Sequence, residues 1–145
     1  MAEFKLVIGQ KDGKCVQKVI KDDDAKHFMG KKIGDSIKGE VIDLTGYEFL
    51  ITGGSDKCGF PMRRDVDGFS RKRILAVKGV GVNNKKKARG RNVKSLRTMK
   101  GMRTRKTVVG NTISAATVQI NMKLIKAGKD PLVKPEAPAE NPESK

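Results

Sequence analysis

Polar and apolar residues alternate over several short stretches of this chain, with the period of two expected of a half-buried strand. Phe4, Leu6 and Ile8 share one side of the first stretch. Lys11-Asp12-Gly13-Lys14 follows, and then Val16-Gln17-Lys18-Val19-Ile20. Asp-Gly between two alternating runs predicts a hairpin, because glycine takes a positive φ without steric cost. Residues 37–44 and 47–52 predict a second hairpin, turning at Thr45-Gly46. Ile74-Leu75-Ala76-Val77 and Thr107-Val108-Val109 are two further short strand candidates. The cleanest alternation covers residues 118–125 and sets Val118, Ile120, Met122 and Leu124 on one face. Residues 22–30 predict the one short helix, with Asp22, Asp23 and Asp24 at its start and Gly30 at its C-cap. Six or seven short strands and one helix predict a mainly β fold, a small barrel or a packed sheet, built as a single domain over residues 1–130. Residues 131–145 hold four of the five prolines together with Glu136, Glu140 and Glu143. Such a tail has little apolar area to bury and is expected to be disordered.

Charge divides the chain differently. The formal net charge is +16, from 32 Lys and Arg against 16 Asp and Glu in 145 residues. Residues 57–106 contain 18 of those bases and only two acids, Asp65 and Asp67, so the whole surplus lies there and the flanks are neutral. A surplus of that size repels itself in a compact chain and points to a polyanionic partner, nucleic acid first and an anionic membrane surface second. Because strands precede and follow it, the basic segment is an excursion of the fold. The residues expected to meet phosphates are Lys57, Arg63, Arg64, Arg71, Lys72, Arg73, Lys85, Lys86, Lys87, Arg89, Arg91, Lys94, Arg97, Lys100, Arg103, Arg105 and Lys106. Only Phe60 and Phe69 are aromatic in this stretch. A platform for splayed bases wants several rings, so phosphate contact is the expected main mode.

Candidate enzyme chemistry is thin. Gly53-Gly54-Ser55-Asp56-Lys57-Cys58-Gly59-Phe60-Pro61-Met62 starts like a phosphate-binding loop, but Phe60 and Pro61 stand where the loop needs Lys and Ser or Thr. Proline also disfavours a helix start at that point. Gly53, Gly54, Gly59 and Pro61 are therefore read as a structural turn. Gly79-Val80-Gly81 lacks the rest of a dinucleotide fingerprint. His27 is the only histidine, and Cys15 and Cys58 form no metal-ligand spacing; surface or packing roles account for all three. Helix-start chemistry accounts for the acidic triplet at 22–24 more simply than a cation site does. No catalytic residue, metal, cofactor or small-molecule substrate is expected. The start of the chain lacks a signal peptide's pattern, and no run reaches the roughly 20 apolar residues of a membrane span, which predicts a soluble cytoplasmic protein.

The string from Thr52 to Met62 resembles the I-x-G-G-x-D-x-x-G-F-P-M signature of small-subunit ribosomal protein six of archaea and eukaryotes. The similarity continues through residues 89–97, through Arg103-Thr104-Arg105-Lys106-Thr107-Val108-Val109-Gly110, and to Gly128-Lys129-Asp130-Pro131-Leu132. The resemblance implies a noncatalytic β-barrel bound to small-subunit ribosomal RNA beside neighbouring ribosomal proteins. Eukaryotic members carry a long basic C-terminal helix with regulatory serines. Here the tail is short, acidic and proline-rich, similar to archaeal members, and that regulation is not implied. A nucleic-acid chaperone or DNA-compacting protein is the alternative that the same electrostatics would support.

Overall fold

The computed structural model describes residues 3–83, 85–87, 96–98 and 101–128, with the side chains of Asp22, 85–87 and 96–98 left aside. The expected 131–145 tail lies outside the described residues. Among the described residues nine strands run in chain order: β1 (Glu3–Gly9), β2 (Cys15–Lys21), β3 (Ser36–Lys38), β4 (Glu48–Asp56), β5 (Arg71–Ala76), β6 (Lys85–Lys87), β7 (Leu96–Thr98), β8 (Thr104–Val109) and β9 (Thr117–Lys126). A short helix α1 (Asp22–Lys26) follows β2, and a 3-10 turn, Gly39–Ile42, follows β3. The chain is mainly β, as the alternation predicts.

Five strands form one sheet in the order β2-β1-β9-β4-β3, and β5–β8 and β6–β7 are separate two-stranded ladders. Among the described residues no ladder joins β2 to β3, so the sheet is open at its ends rather than a hydrogen-bonded closed barrel. β1 and β9 pair in parallel, Leu6 opposite Ile120 and Ile8 opposite Met122; the other neighbours in the sheet are antiparallel. One face of the sheet forms the core. Phe4, Leu6, Ile8, Phe49, Ile51 and Ile120 are at most 1% exposed, and Ala25 and Phe28 from the α1 region join them. Tyr47 and Phe49 stack with ring centroids 5.8 Å apart. Each fully buried large apolar side chain contributes about 1.5–3 kcal/mol relative to exposure.

Three local expectations change. The helix expected over 22–30 stops at Lys26, and residues 27–30 turn instead, Gly30 (φ +78°) donating its N–H to the Ile113 carbonyl. Its cap position is Lys21, which makes no side-chain cap bond, so the acids occupy the first turn and Asp23 pairs with Lys26 at 2.6 Å. The strand expected over 37–44 ends at Lys38. There Gly39 donates to the Tyr47 carbonyl and accepts from Leu44, and Asp43 at φ +58° closes the 3-10 turn.

The third change concerns the glycine loop. β4 runs on through Gly53 and Gly54 to Asp56, so these two glycines are strand residues and not a turn. A Cβ at Gly54 would lie 2.4 Å from the Gln119 carbonyl oxygen and 3.0 Å from the Met62 sulfur. Glycine is needed there for the close approach of β9. Gly53 has nothing within 4 Å of its Cβ position. The turn proper centres on Gly59 (φ +80°), after which Pro61 bridges back to Ser55.

The two adjacent glycines should therefore separate on substitution. Gly54→Ala is expected to destabilise the fold by about 1–3 kcal/mol through overpacking. Gly53→Ala should be neutral or stabilising by up to about 1 kcal/mol. Urea unfolding followed by far-ultraviolet circular dichroism measures both.

Candidate nucleic-acid interface

The signature string ends in a tightly bonded turn organised by one carboxylate. Asp56 is buried at 4% exposure. Its Oδ1 accepts from the N–H groups of Cys58 and Phe60, each at 2.9 Å, and its Oδ2 accepts from Arg71 Nε at 2.6 Å. The Arg71 guanidinium also lies over the Phe60 ring, 5.2 Å from its centroid. The backbone continues the ring of bonds: Asp56 N–H to the Phe60 carbonyl and Gly59 N–H to the Asp56 carbonyl. This acid joins the last residue of β4 to the first residue of β5. The hydrogen bond that Arg71 donates to Asp56 raises the pKa of the guanidinium.

Pro61, Met62 and Arg63 form the second join. The Pro61 carbonyl accepts from Val109 N–H at 3.0 Å, and Arg63 N–H donates to the Val109 carbonyl at 3.1 Å. Arg63 then grips the turn beyond β5. Its Nε and Nη2 bind the two Asp65 oxygens at 2.8 and 2.6 Å, and its Nη1 donates to the Val80 carbonyl at 2.9 Å. Gly79 and Val82 exchange both backbone bonds at 3.0 Å, and a Cβ on Gly81 (φ +72°) would meet Pro61 at 2.7 Å. The Gly79-Val80-Gly81 stretch is thus a tight turn packed on proline. The Arg63 hydrogen bond holds the Asp65 carboxyl below its ordinary range. Stability from that pair is present above the unfolded carboxyl pKa of about 4 and is lost as pH falls through the lower folded value.

The basic residues fall into two groups. Arg63 and Arg71 are tied to carboxylates within the fold, and Lys72 Nζ donates to the Asp67 carbonyl at 3.0 Å. Lys57, Arg64, Arg73, Arg103, Arg105 and Lys106 are exposed and make no side-chain hydrogen bond or ion pair among the described residues. In the β5–β8 register Arg73 faces Thr107 and Leu75 faces Arg105, so Arg73 and Arg105 share one face of the ribbon. A cleft of about 610 Å³ opens there, walled by Phe60, Pro61, Arg73, Gly81, Arg105 and Lys106. Like charges around one cleft repel, and a phosphate group relieves that repulsion.

Lys85, Lys86 and Lys87 pair by backbone with Thr98, Arg97 and Leu96, which places part of the basic excursion in a ladder. Arg89, Arg91, Lys94 and Lys100 lie outside the described residues. Lys78, exposed between β5 and the Gly79 turn, belongs with the outward cations; it counts in the charge of the segment but is absent from the residues singled out in sequence. Asp56 was also missed, although its place in the signature marks it. Among the described residues no group of three His, Cys, Asp or Glu could hold a metal, and no helix is long and apolar enough to cross a membrane. His27, Cys15 and Cys58 are exposed, and no hydrogen bond joins the histidine to either thiol.

A family profile described as ribosomal protein S6e matches residues 4–136. The chain is 42% identical over 130 residues to the small ribosomal subunit protein eS6 of Methanococcus maripaludis strain C7, covering 89% of this chain and 92% of that protein. It is 43% identical over 132 residues to the eS6 of Archaeoglobus fulgidus, at 90% and 92% coverage. With the eS6 of Methanoculleus marisnigri the identity is 41% over 145 residues, at 97% and 100% coverage.

Removing the organising carboxylate tests this construction. Asp56→Ala strands two backbone N–H groups and is expected to cost about 2–4 kcal/mol in urea unfolding. Arg71→Gln should cost less, because that side chain is 45% exposed and its partner keeps the two N–H donors.

Proposed function

The chain belongs to the ribosomal protein S6e family, and from that premise we propose that it is a structural component of the small ribosomal subunit, binding ribosomal RNA through its phosphates. The observation that carries the RNA-binding part is the sorting of charge around β5 and β8. The two acids of the basic segment are engaged within the fold: Asp65 by Arg63 and Asp67 by Asn111 at 2.8 Å. The outward cations meet solvent and make no ion pair among the described residues.

In this reading the neutral sheet is the support and the β5–β8 ribbon is the contact surface. Arg73, Arg105 and Lys106 receive phosphates at the cleft beside Phe60, and Lys57, Arg64 and Arg103 extend the contact. Lys85, Lys86, Lys87, Arg89, Arg91, Lys94, Arg97 and Lys100 continue it along the excursion. Neutralising phosphates lets RNA segments approach that would otherwise repel. Arg63 and Arg71, which resemble the other phosphate ligands in the sequence, act chiefly by holding the ribbon. The role is architectural and contains no catalytic step, with neighbouring ribosomal proteins and RNA as partners in the cytoplasm. Nothing in the fold or the relatives named above favours the DNA-compacting alternative.

A salt titration of binding to transcribed small-subunit ribosomal RNA tests the assignment. Arg73→Gln, Arg105→Gln and Lys106→Gln should each reduce the slope of log K against log salt by about 0.7–0.9. Arg63→Gln should leave the slope unchanged and lower the unfolding midpoint. Binding no tighter than to heparin or random DNA at every salt concentration would overturn the reading.

A further inference from the structure

The chain has six aromatic side chains, five Phe and one Tyr. Phe4, Phe28, Phe49 and Tyr47 are buried, and Phe60 is half-buried with Arg71 over its ring. Phe69 alone is turned to water, 67% exposed. A single apolar residue on a surface is ordinary. What sets this one apart is the rigidity of the backbone that presents it.

Residues 66–70 are bonded to 110–112 on both sides of Phe69. Asn111 N–H donates to the Val66 carbonyl at 2.7 Å, Thr112 N–H to the Gly68 carbonyl at 3.1 Å, and Gly110 N–H to the Ser70 carbonyl at 3.3 Å. The Asn111 side chain adds a bond to Asp67 Oδ1. The contact is so close that a Cβ on Gly110 would fall 1.8 Å from the Gly68 carbonyl oxygen. The loop is therefore ordered before any partner arrives, and an aromatic ring held this way loses little freedom on binding.

Its surroundings choose the partner. Phe69 stands in the string Asp67-Gly68-Phe69-Ser70-Arg71-Lys72, which offers no second large apolar residue to make a protein-binding hot spot. The Lys72 ammonium is held at the Asp67 carbonyl, and residues 63–73 carry five Lys and Arg against two Asp. An exposed π-face within a basic segment fits a nucleobase with its phosphate.

We propose that Phe69 is a stacking site for one unpaired RNA base, with the Lys72 ammonium taking the adjoining phosphate. This rests on the RNA-binding reading above and adds a base-contacting residue to a surface otherwise assigned to phosphates. Because the chain contains no Trp, Phe69→Trp in the full-length protein places one fluorophore at the site. Its emission should be quenched by transcribed small-subunit ribosomal RNA, and should not be quenched by heparin or by a fully paired RNA duplex. Phe69→Ala and Phe69→Leu should each weaken binding to that transcript by about 5- to 150-fold, the range for one stacked base, without changing the salt slope. Circular dichroism should show both variants as stable as the parent, since the ring is exposed. Equal quenching by heparin, or parental affinity in either variant, would overturn the stacking site while leaving salt-dependent RNA binding intact. Failure of the unsubstituted chain to bind the transcript would overturn both.

Discussion

A buried carboxylate has to be surrounded by donors, and the donors around Asp56 hold the two halves of this molecule together. It ends β4 in the neutral sheet, bonds two N–H groups of the following turn, and takes the guanidinium that opens β5. The basic ribbon therefore leaves the sheet in one direction. Arg63 repeats the device on the next turn, through Asp65 and the Val80 carbonyl. A chain with a +16 surplus uses very few acids in its charged segment, and each of them orients a cation or a loop. An ion pair of this kind adds modest net stability, but removal of one partner is costly. Its value here is directional.

Where one face of a strand is buried, its period is easy to read. β1 and β9 follow it closely, and the Asp-Gly turn places β2 against β1 with Gly9 opposite Cys15. Reading failed where a tertiary contact outweighed local preference. The strand expected over 37–44 gives way at Gly39, whose missing side chain leaves room for the Leu44 carbonyl and the Tyr47 and Phe49 side chains. Gly54 suggests a turn in sequence, yet it permits a strand to pass tightly over Gln119. Both glycines are demanded by neighbours distant along the chain.

The basic region was legible in the sequence, and the roles of its single residues were not. A count of bases located it, because unbalanced charge is additive along the sequence. Which arginine faces outward depends on the carboxylate its side chain can reach, and that is settled only when β4, β5 and β8 are side by side. Arg63 and Arg71 look like Arg73 in the sequence, and differ by the neighbours that Asp65 and Asp56 provide. Phe69 illustrates the same point with an apolar residue: only the bonds from residues 110–112 reveal that its exposure is imposed.

The parallel pairing of β1 with β9 has a kinetic side. Residues 3–9 and 117–126 must meet before the centre of the sheet exists, so the core depends on contacts separated by more than a hundred positions. Contacts of such separation form slowly, since the loop between them must first be closed. During synthesis the cationic stretch is made before β9. For that interval the centre of the sheet is missing the strand that joins β1 to β4. The order of residues thus delays closure of the core, and β9, ten residues long and bonded on both edges, completes it when it docks.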